Sequence, residues 1–130
     1  MTLLDLEIDE LPPTVNSMYR SMRNGQRYKT KECREFQERV TNLMRKDNPE
    51  PYTGRANLLI RFTDADKRRW DIDNRVKALQ DCLILSGVLK DDCQIDTLHV
   101  ERQYGTAPAT YIRLDEYPCL ETHDRLDASG

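Results

Sequence analysis

Apolar residues along the chain follow two rhythms, and the change between them marks out its elements. Leu4, Leu6 and Ile8 alternate with polar neighbours over Leu3 to Ile8, and Ala56, Leu58, Ile60 and Phe62 do so over Ala56 to Thr63. Period two is the pattern of a strand with one buried face. Phe36, Val40, Leu43 and Met44 recur instead at helical spacing, which predicts a helix from about Lys31 to Lys46. Thr30 supplies an N-cap, and Asp47, Asn48 and Pro49 end the helix. Val76, Leu79 and Leu83 form a second stripe, so another helix is predicted from about Ile72 to Ser86, closed by Gly87.

Weaker signals fill the gaps. In LPPTVNSMYR, Pro12–Pro13 forbids a helix start. Asn24–Gly25 is a turn signal, with Met18–Met22 and Gln26–Lys29 flanking it as a short hairpin or an ordered loop. DADKRR, from Asp64 to Arg69, is too polar for anything but a loop. Val88 to Lys90 reads as a very short strand. Gln94 to Tyr104 reads as a longer one with Leu98, Val100 and Tyr104 inward, and Ala109 to Glu116 as the last. This order predicts an α+β fold, a small mixed β-sheet with two main helices packed on it, in a single domain over residues 1–117. Pro118 to Gly130 has little to bury and reads as a flexible tail.

Composition narrows the class. A chain of 130 residues, 38% hydrophobic and 33% charged, can bury one modest core. No apolar run approaches a membrane span, and MTLLDLEIDE lacks the basic start of a signal peptide, so a cytoplasmic protein is expected. Cys33, Cys82, Cys93 and Cys119 form no CxxC pair, and neither His99 nor His123 lies near a cysteine pair; reduced thiols are expected rather than zinc.

Charge distribution changes the picture more than net charge. A formal charge of −3 argues against a polyanion partner on average. Yet nine lysines and arginines fall between Arg20 and Lys46, and Lys67, Arg68 and Arg69 form a second cluster. Local field, not the average, steers a polyanion. An ordinary solvated helix face accounts for the part of the first cluster that also carries Glu32, Glu35 and Glu38.

The second cluster leads directly into carboxylates. Asp71 and Asp73 converge only if Asp71 lies at or before the helix start. Asp73 and Lys77 share a helical face at i, i+4. Asp92 is expected to return to the same region if the helix packs back along the sheet. Three such carboxylates repel by about 4 kcal/mol per pair at 4 Å and an effective dielectric near 20. They are therefore either apart and solvated, or joined by a divalent cation. Mg²⁺, which takes one or two carboxylates with waters and a phosphate oxygen, suits an open cluster of this kind. Each residue also has an ordinary explanation: a helix cap for Asp71 or Asp73, a surface ion pair for Asp73–Lys77, a polar turn for Asp91–Asp92. Trp70 either anchors the loop in the core or stacks on a base. Asp64 and Asp66 have no assigned role.

The run WDIDNRVKALQDCL…SGVLKDDCQID resembles the RusA family of Holliday junction resolvases, as do LPPTVNSMYR and YKTKECREF upstream of it. The resemblance covers roughly residues 1 to 104. It implies that Asp71, Asp73 and Asp92 are metal-binding catalytic aspartates, that Lys77 is a functional lysine, and that Asp91 is not obligatory. It also implies a homodimer of α+β subunits that nicks two opposed strands of a four-way junction with Mg²⁺, or Mn²⁺ as a substitute. The expected activity is therefore a structure-selective endodeoxyribonuclease of recombination and repair in a bacterium or its phage. Lys67, Arg68 and Arg69 are expected to meet the DNA backbone, with Lys29, Lys31 and Arg34 as further contacts. The competing readings are a non-catalytic DNA-binding module whose aspartates are caps, and a partner-binding protein with no nucleic acid.

Overall fold

The computed structural model describes residues 1–45 and 50–117. The expected tail and the expected stop at Asp47 to Pro49 lie outside the described residues. Elements follow in the order β1 (Thr2–Ile8), α1 (Val15–Met18), β2 (Tyr19–Ser21), β3 (Arg27–Lys29), α2 (Lys31–Met44), β4 (Ala56–Asp64), α3 (Val76–Leu85), β5 (Ile95–Tyr104) and β6 (Ala109–Glu116). Short 3-10 turns at Ile72–Arg75 and Asp92–Gln94 flank α3. The main sheet has the order β1-β6-β4-β5, and β2 and β3 form a separate hairpin. Among the described strands only β4 and β5 pair in parallel. The α+β expectation is met, with two main helices and one small core.

Alternation builds that core. In β4, Ala56, Leu58, Ile60, Phe62 and Asp64 are buried, while the residues between them are only half-buried. Ile112 and Leu114 of β6 continue the apolar surface, and α2 and α3 cover it with Phe36, Val40, Met44, Leu79 and Leu83. Leu43 does not join them and is half-exposed. The buried face of α2 is centred near Cys33, Val40 and Met44, and at 100° per residue Leu43 lies about 90° away from that centre. Cys33 and Cys82 are buried and Cys93 exposed, all three as free thiols; burial pushes the Cys82 thiol up to about 12.

Four local expectations need correction. A short helix does follow the prolines: the prolines constrain only residues before them, and Thr14 caps α1 by accepting from the Ser17 N–H at 3.3 Å. Val88 to Lys90 gives a single bridge, Tyr52 to Leu89, instead of a strand. The strand expected from Gln94 begins at Ile95, because Gln94 is held in a turn by Asp91. Leu98 and Tyr104 are exposed although their register places them on the same face as Leu58 and Asp64. They lie on an edge strand, past the reach of the helices. The expected hairpin does form, with Gly25 at φ +85°, and Gly87 turns the end of α3 at φ +81°. No helix among the described residues is long and apolar enough to cross a membrane.

One topological fact positions the carboxylates. Because β4 and β5 are parallel, α3 must run back from the end of β4 to the start of β5. Asp71 therefore lies at the head of this crossover helix and Asp92 beyond its foot. Ten helical residues at 1.5 Å rise put about 15 Å of helix between the two ends.

Candidate active site

The site begins at the last residue of β4. Asp64 is buried, accepts from the Asp66 N–H at 3.0 Å and accepts from the Trp70 indole N–H at 2.9 Å. Burial pushes its carboxyl up, but those two donors, with the positive charges of Arg102 and Arg75, outweigh burial and hold it below the ordinary carboxylate range. Trp70 packs edge-on against Phe62 with ring centroids 5.5 Å apart. Arg75 and Arg102 lie 4.8 Å and 4.3 Å from its ring centroid. Both guanidiniums are thus engaged with the indole, and Trp70 anchors the loop. Burial pushes the Arg75 guanidinium down, and Arg75 donates to the Pro12 carbonyl, pinning the proline segment to this corner.

Immediately after this anchor the chain presents its carboxylates. Asp71 is extended, with φ −80° and ψ 137°, and its carbonyl accepts from the Asn74 N–H at 3.0 Å. Its side chain makes no cap bond to the following turn, so the simple capping explanation does not apply. Asp73 lies in the first turn behind it, and both residues are exposed. The condition for their convergence, Asp71 preceding the helical turn, is met. Among the described residues neither carboxylate is within 4.0 Å of a cationic partner. A cleft of about 750 Å³ opens beside Asp71, lined also by Asn16, Asp66, Arg68, Arg69 and Asn74.

Lys77 and Asp92 belong to a different groove, of about 390 Å³, which they share with Tyr19, Lys29, Asp81 and Asp91. Lys77 does not pair with Asp73; its ammonium donates to Asp81 at 3.0 Å. The Asp81 hydrogen bond, with smaller help from Asp92, raises Lys77 above the ordinary lysine range despite partial burial. Asp91 proves to be a cap: it accepts from the Cys93 N–H at 3.2 Å, and that backbone bond chiefly holds its carboxyl low. Gln94 completes the capping box by accepting from the Asp91 N–H at 2.8 Å, while its amide donates to the carbonyls of Tyr52 and Gly54. Among the described residues Asp92, beside it, makes no such cap bond.

The structure thus places Asp71 and Asp73 at one turn and Lys77 and Asp92 in one groove, and does not bring all four into one group. Among the described residues no three carboxylate, histidine or cysteine side chains form a group able to hold a metal. The crossover is the reason: packing α3 back along the sheet carries the chain away from Asp71 rather than back to it. The Asp71–Asp73 pair nevertheless suits Mg²⁺ in donor chemistry, being hard, exposed and uncompensated, and Mg²⁺ takes only one or two carboxylates.

The expected DNA contacts differ in how free they are. Lys67 rests over the Tyr104 ring at 5.8 Å, Arg68 is paired to Asp66, and Arg69 has no carboxylate within 4.0 Å among the described residues. Lys31 is 3.8 Å from Glu35, and Lys29 donates to Gln37 at 2.7 Å. Arg39, from the same cluster, forms a two-point pair with Glu10. Part of the first basic cluster is therefore the ordinary salted helix face.

Comparison with known proteins closes the question of kinship. The family model for endodeoxyribonuclease RusA matches residues 10–115. The chain belongs to the RusA family. A crossover junction endodeoxyribonuclease rusA of Enterobacteria phage HK97 is 32% identical to it over 92 residues, covering 70% of this chain and 76% of the relative. RusA membership makes the chain an endodeoxyribonuclease and includes both carboxylate-bearing turns within the matched segment.

Sequence reasoning had no use for Asp64, Arg75, Arg102, Asp81 and Gln94, all of which shape this RusA site. Asp81 was within reach, since it stands four residues after Lys77. The others act across 6 to 63 residues, from Asp64–Trp70 through Gln94–Gly54 and Gln94–Tyr52 to Arg75–Pro12, and Arg102 reaches Trp70 from β5. No local spacing encodes such pairs.

Proposed function

We propose that the chain is a Mg²⁺-dependent endonuclease that resolves four-way DNA junctions by paired nicks in opposed strands, as a homodimer serving recombination and repair in a bacterium or its phage. The observation that carries this reading is Asp71, without a cationic partner among the described residues, opening on a cleft lined by Arg68, Arg69 and Arg75, with Asp73 exposed in the turn behind it. The name of the phage HK97 relative supplies the substrate.

In this reading Asp71 and Asp73 hold the metal, and Asp92 acts from the neighbouring groove. The bound metal would activate water and offset charge on the phosphodiester. Arg69 holds the backbone by charge, with Arg68 beside it, and positions the strand without reading its sequence. Lys77, kept protonated by Asp81, has N–H groups left to meet a phosphate oxygen. The anchored Trp70 fixes the backbone from which Asp71 projects. That rigidity favours catalysis by holding the reacting groups in place.

A homodimer is supported by β5. It is ten residues long, lies at the sheet edge and displays Leu98 and Tyr104, while the opposite edge strand β1 is shorter, at seven residues. Long unprotected edges invite pairing more than short ones. Two β5 edges meeting antiparallel would give the two-fold symmetry that a junction with two equivalent strands requires.

The deciding experiment compares a synthetic four-way junction with a linear duplex of the same sequence, in Mg²⁺ or EDTA. Symmetric nicking of the junction alone, lost in EDTA and in Asp73→Asn, is the expected result. Tight junction binding without nicking by a metal-loaded protein would favour the non-catalytic module. Absence of binding at low salt would remove both DNA readings.

A further inference from the structure

The groove between α2 and the end of α3 holds a buried donor with nothing to donate to. Gln37 is 3% exposed, yet its side-chain nitrogen Nε2 has no partner among the described residues. Its orientation is fixed: the Lys29 ammonium donates to Gln37 Oε1 at 2.7 Å, and an ammonium can only donate, so the oxygen must face Lys29. The NH₂ group is left on the side away from Lys29, buried beneath a groove of about 320 Å³ that Gln37 lines with Lys29, Arg34, Glu38, Thr41, Asn42, Arg45 and Leu85. Unsatisfied buried donors are rare in folded proteins and call for an acceptor.

The surroundings say which acceptor. Three cations face the groove against one carboxylate. Lys29 uses one N–H on Gln37 and keeps two. Arg45 is held in place by donating from Nη2 to the Leu85 carbonyl at 2.9 Å, with no other side-chain bond among the described residues. An amide donor, an ammonium and two guanidiniums converging on one groove match the oxygens of a phosphate. Among the described residues no aromatic ring lines this groove, so they offer no platform for a base. Lys29 and Leu85 also line the neighbouring groove that contains Lys77 and Asp92. The two grooves share a wall.

We propose that the α2–α3 groove is a backbone track, in which Gln37, Lys29, Arg34 and Arg45 grip a phosphate of the same DNA strand that passes Lys77 and Asp92. This rests on the reading of the chain as a junction nuclease and extends it to a second, non-cleaving contact. Its ligand class is a phosphodiester oxygen pair, bound through charge and one oriented amide.

The test has two arms. In ¹⁵N-labelled protein, the Gln37 side-chain NH₂ resonances are followed during titration with inorganic phosphate, and with chloride at matched ionic strength. Movement with phosphate alone is expected, weakened at least about three-fold in Arg45→Gln, an exposed residue whose loss should leave the fold intact. In the second arm, junction affinity is measured against salt in EDTA. Arg45→Gln should reduce the slope of log K against log salt by about one, and Gln37→Leu should weaken binding several-fold with the slope unchanged. Static Gln37 resonances together with an unchanged slope would overturn the track, even with a wild-type protein that nicks junctions normally. Resonances that move in a protein unable to bind any junction would overturn the DNA assignment and leave a site for free phosphate.

Discussion

The indole of Trp70 donates to the buried carboxylate of Asp64 across 2.9 Å, and the loop between them carries all three residues of the second basic cluster. This bond makes Asp64 a structural residue. Asp64→Ala would leave the indole N–H and the Asp66 N–H without their acceptor, a loss of about 2–3 kcal/mol at neutral pH. The sign with pH follows from the lowered carboxyl. Its contribution is fully present above the unfolded aspartate value of about 3.9 and is lost as pH falls through the lower folded value. Acid unfolding followed by near-ultraviolet circular dichroism should therefore show a shallower pH dependence below about pH 4 in Asp64→Asn than in the wild type.

Arg68 and Arg69 are neighbours in sequence but differ in charge economy. Arg68 is tied to Asp66, and that bond and charge raise its pKa, whereas Arg69 has no such partner among the described residues. Arg69→Gln should lower the salt slope of junction binding by about one. Arg68→Gln should lower it less, because Asp66 already cancels much of its field. Equal slopes for the two variants would show that the Arg68–Asp66 pair opens on DNA.

The split between Asp71–Asp73 and Asp92 predicts unequal roles in metal binding. Mn²⁺ broadening of backbone amide resonances in single-copy protein should centre on residues 71–74, and should disappear in Asp73→Asn. Asp92→Asn should retain that broadening while losing at least about 10²-fold in nicking rate, a loss of the size seen when one electrostatic contact to a transition state is removed. Broadening centred equally on residues 91–93 would mean that the crossover helix shifts on metal binding.

If β5 joins two copies, a charge at its apolar edge should separate them. Leu98→Arg, at a residue 47% exposed, should leave the subunit folded and shift sedimentation from dimer to monomer. Junction nicking should then become unpaired. A dimer that survives Leu98→Arg, and also survives Tyr104→Arg, would place the interface elsewhere.

The elements were legible where period decided them. β4 reads directly from Ala56, Leu58, Ile60 and Phe62, and α3 from Val76, Leu79 and Leu83, because each buries one face against the other. Leu98 misled because alternation encodes which side a residue faces and says nothing about whether a helix covers that side. The aspartates show the same limit in three dimensions. Asp71 and Asp73 could be placed from their spacing, since only local backbone conformation was involved. Asp92 could not, because its position depends on β5 pairing parallel to β4, a choice made by contacts such as Ile60 with Val100 that lie 40 residues apart. Spacing alone left Asp91 and Asp92 equivalent, and only the family resemblance separated them; in the structure Gln94 selects Asp91 as the cap.

Trp70 is the chain's single tryptophan. Its ring lies against two guanidiniums, its N–H is engaged by a carboxylate, and the next residue is Asp71. The protein accordingly carries its own optical reporter at the mouth of the cleft. Intrinsic emission should register metal or DNA arriving at Asp71, and stopped-flow fluorescence on the unlabelled protein can time those arrivals before any strand is cut.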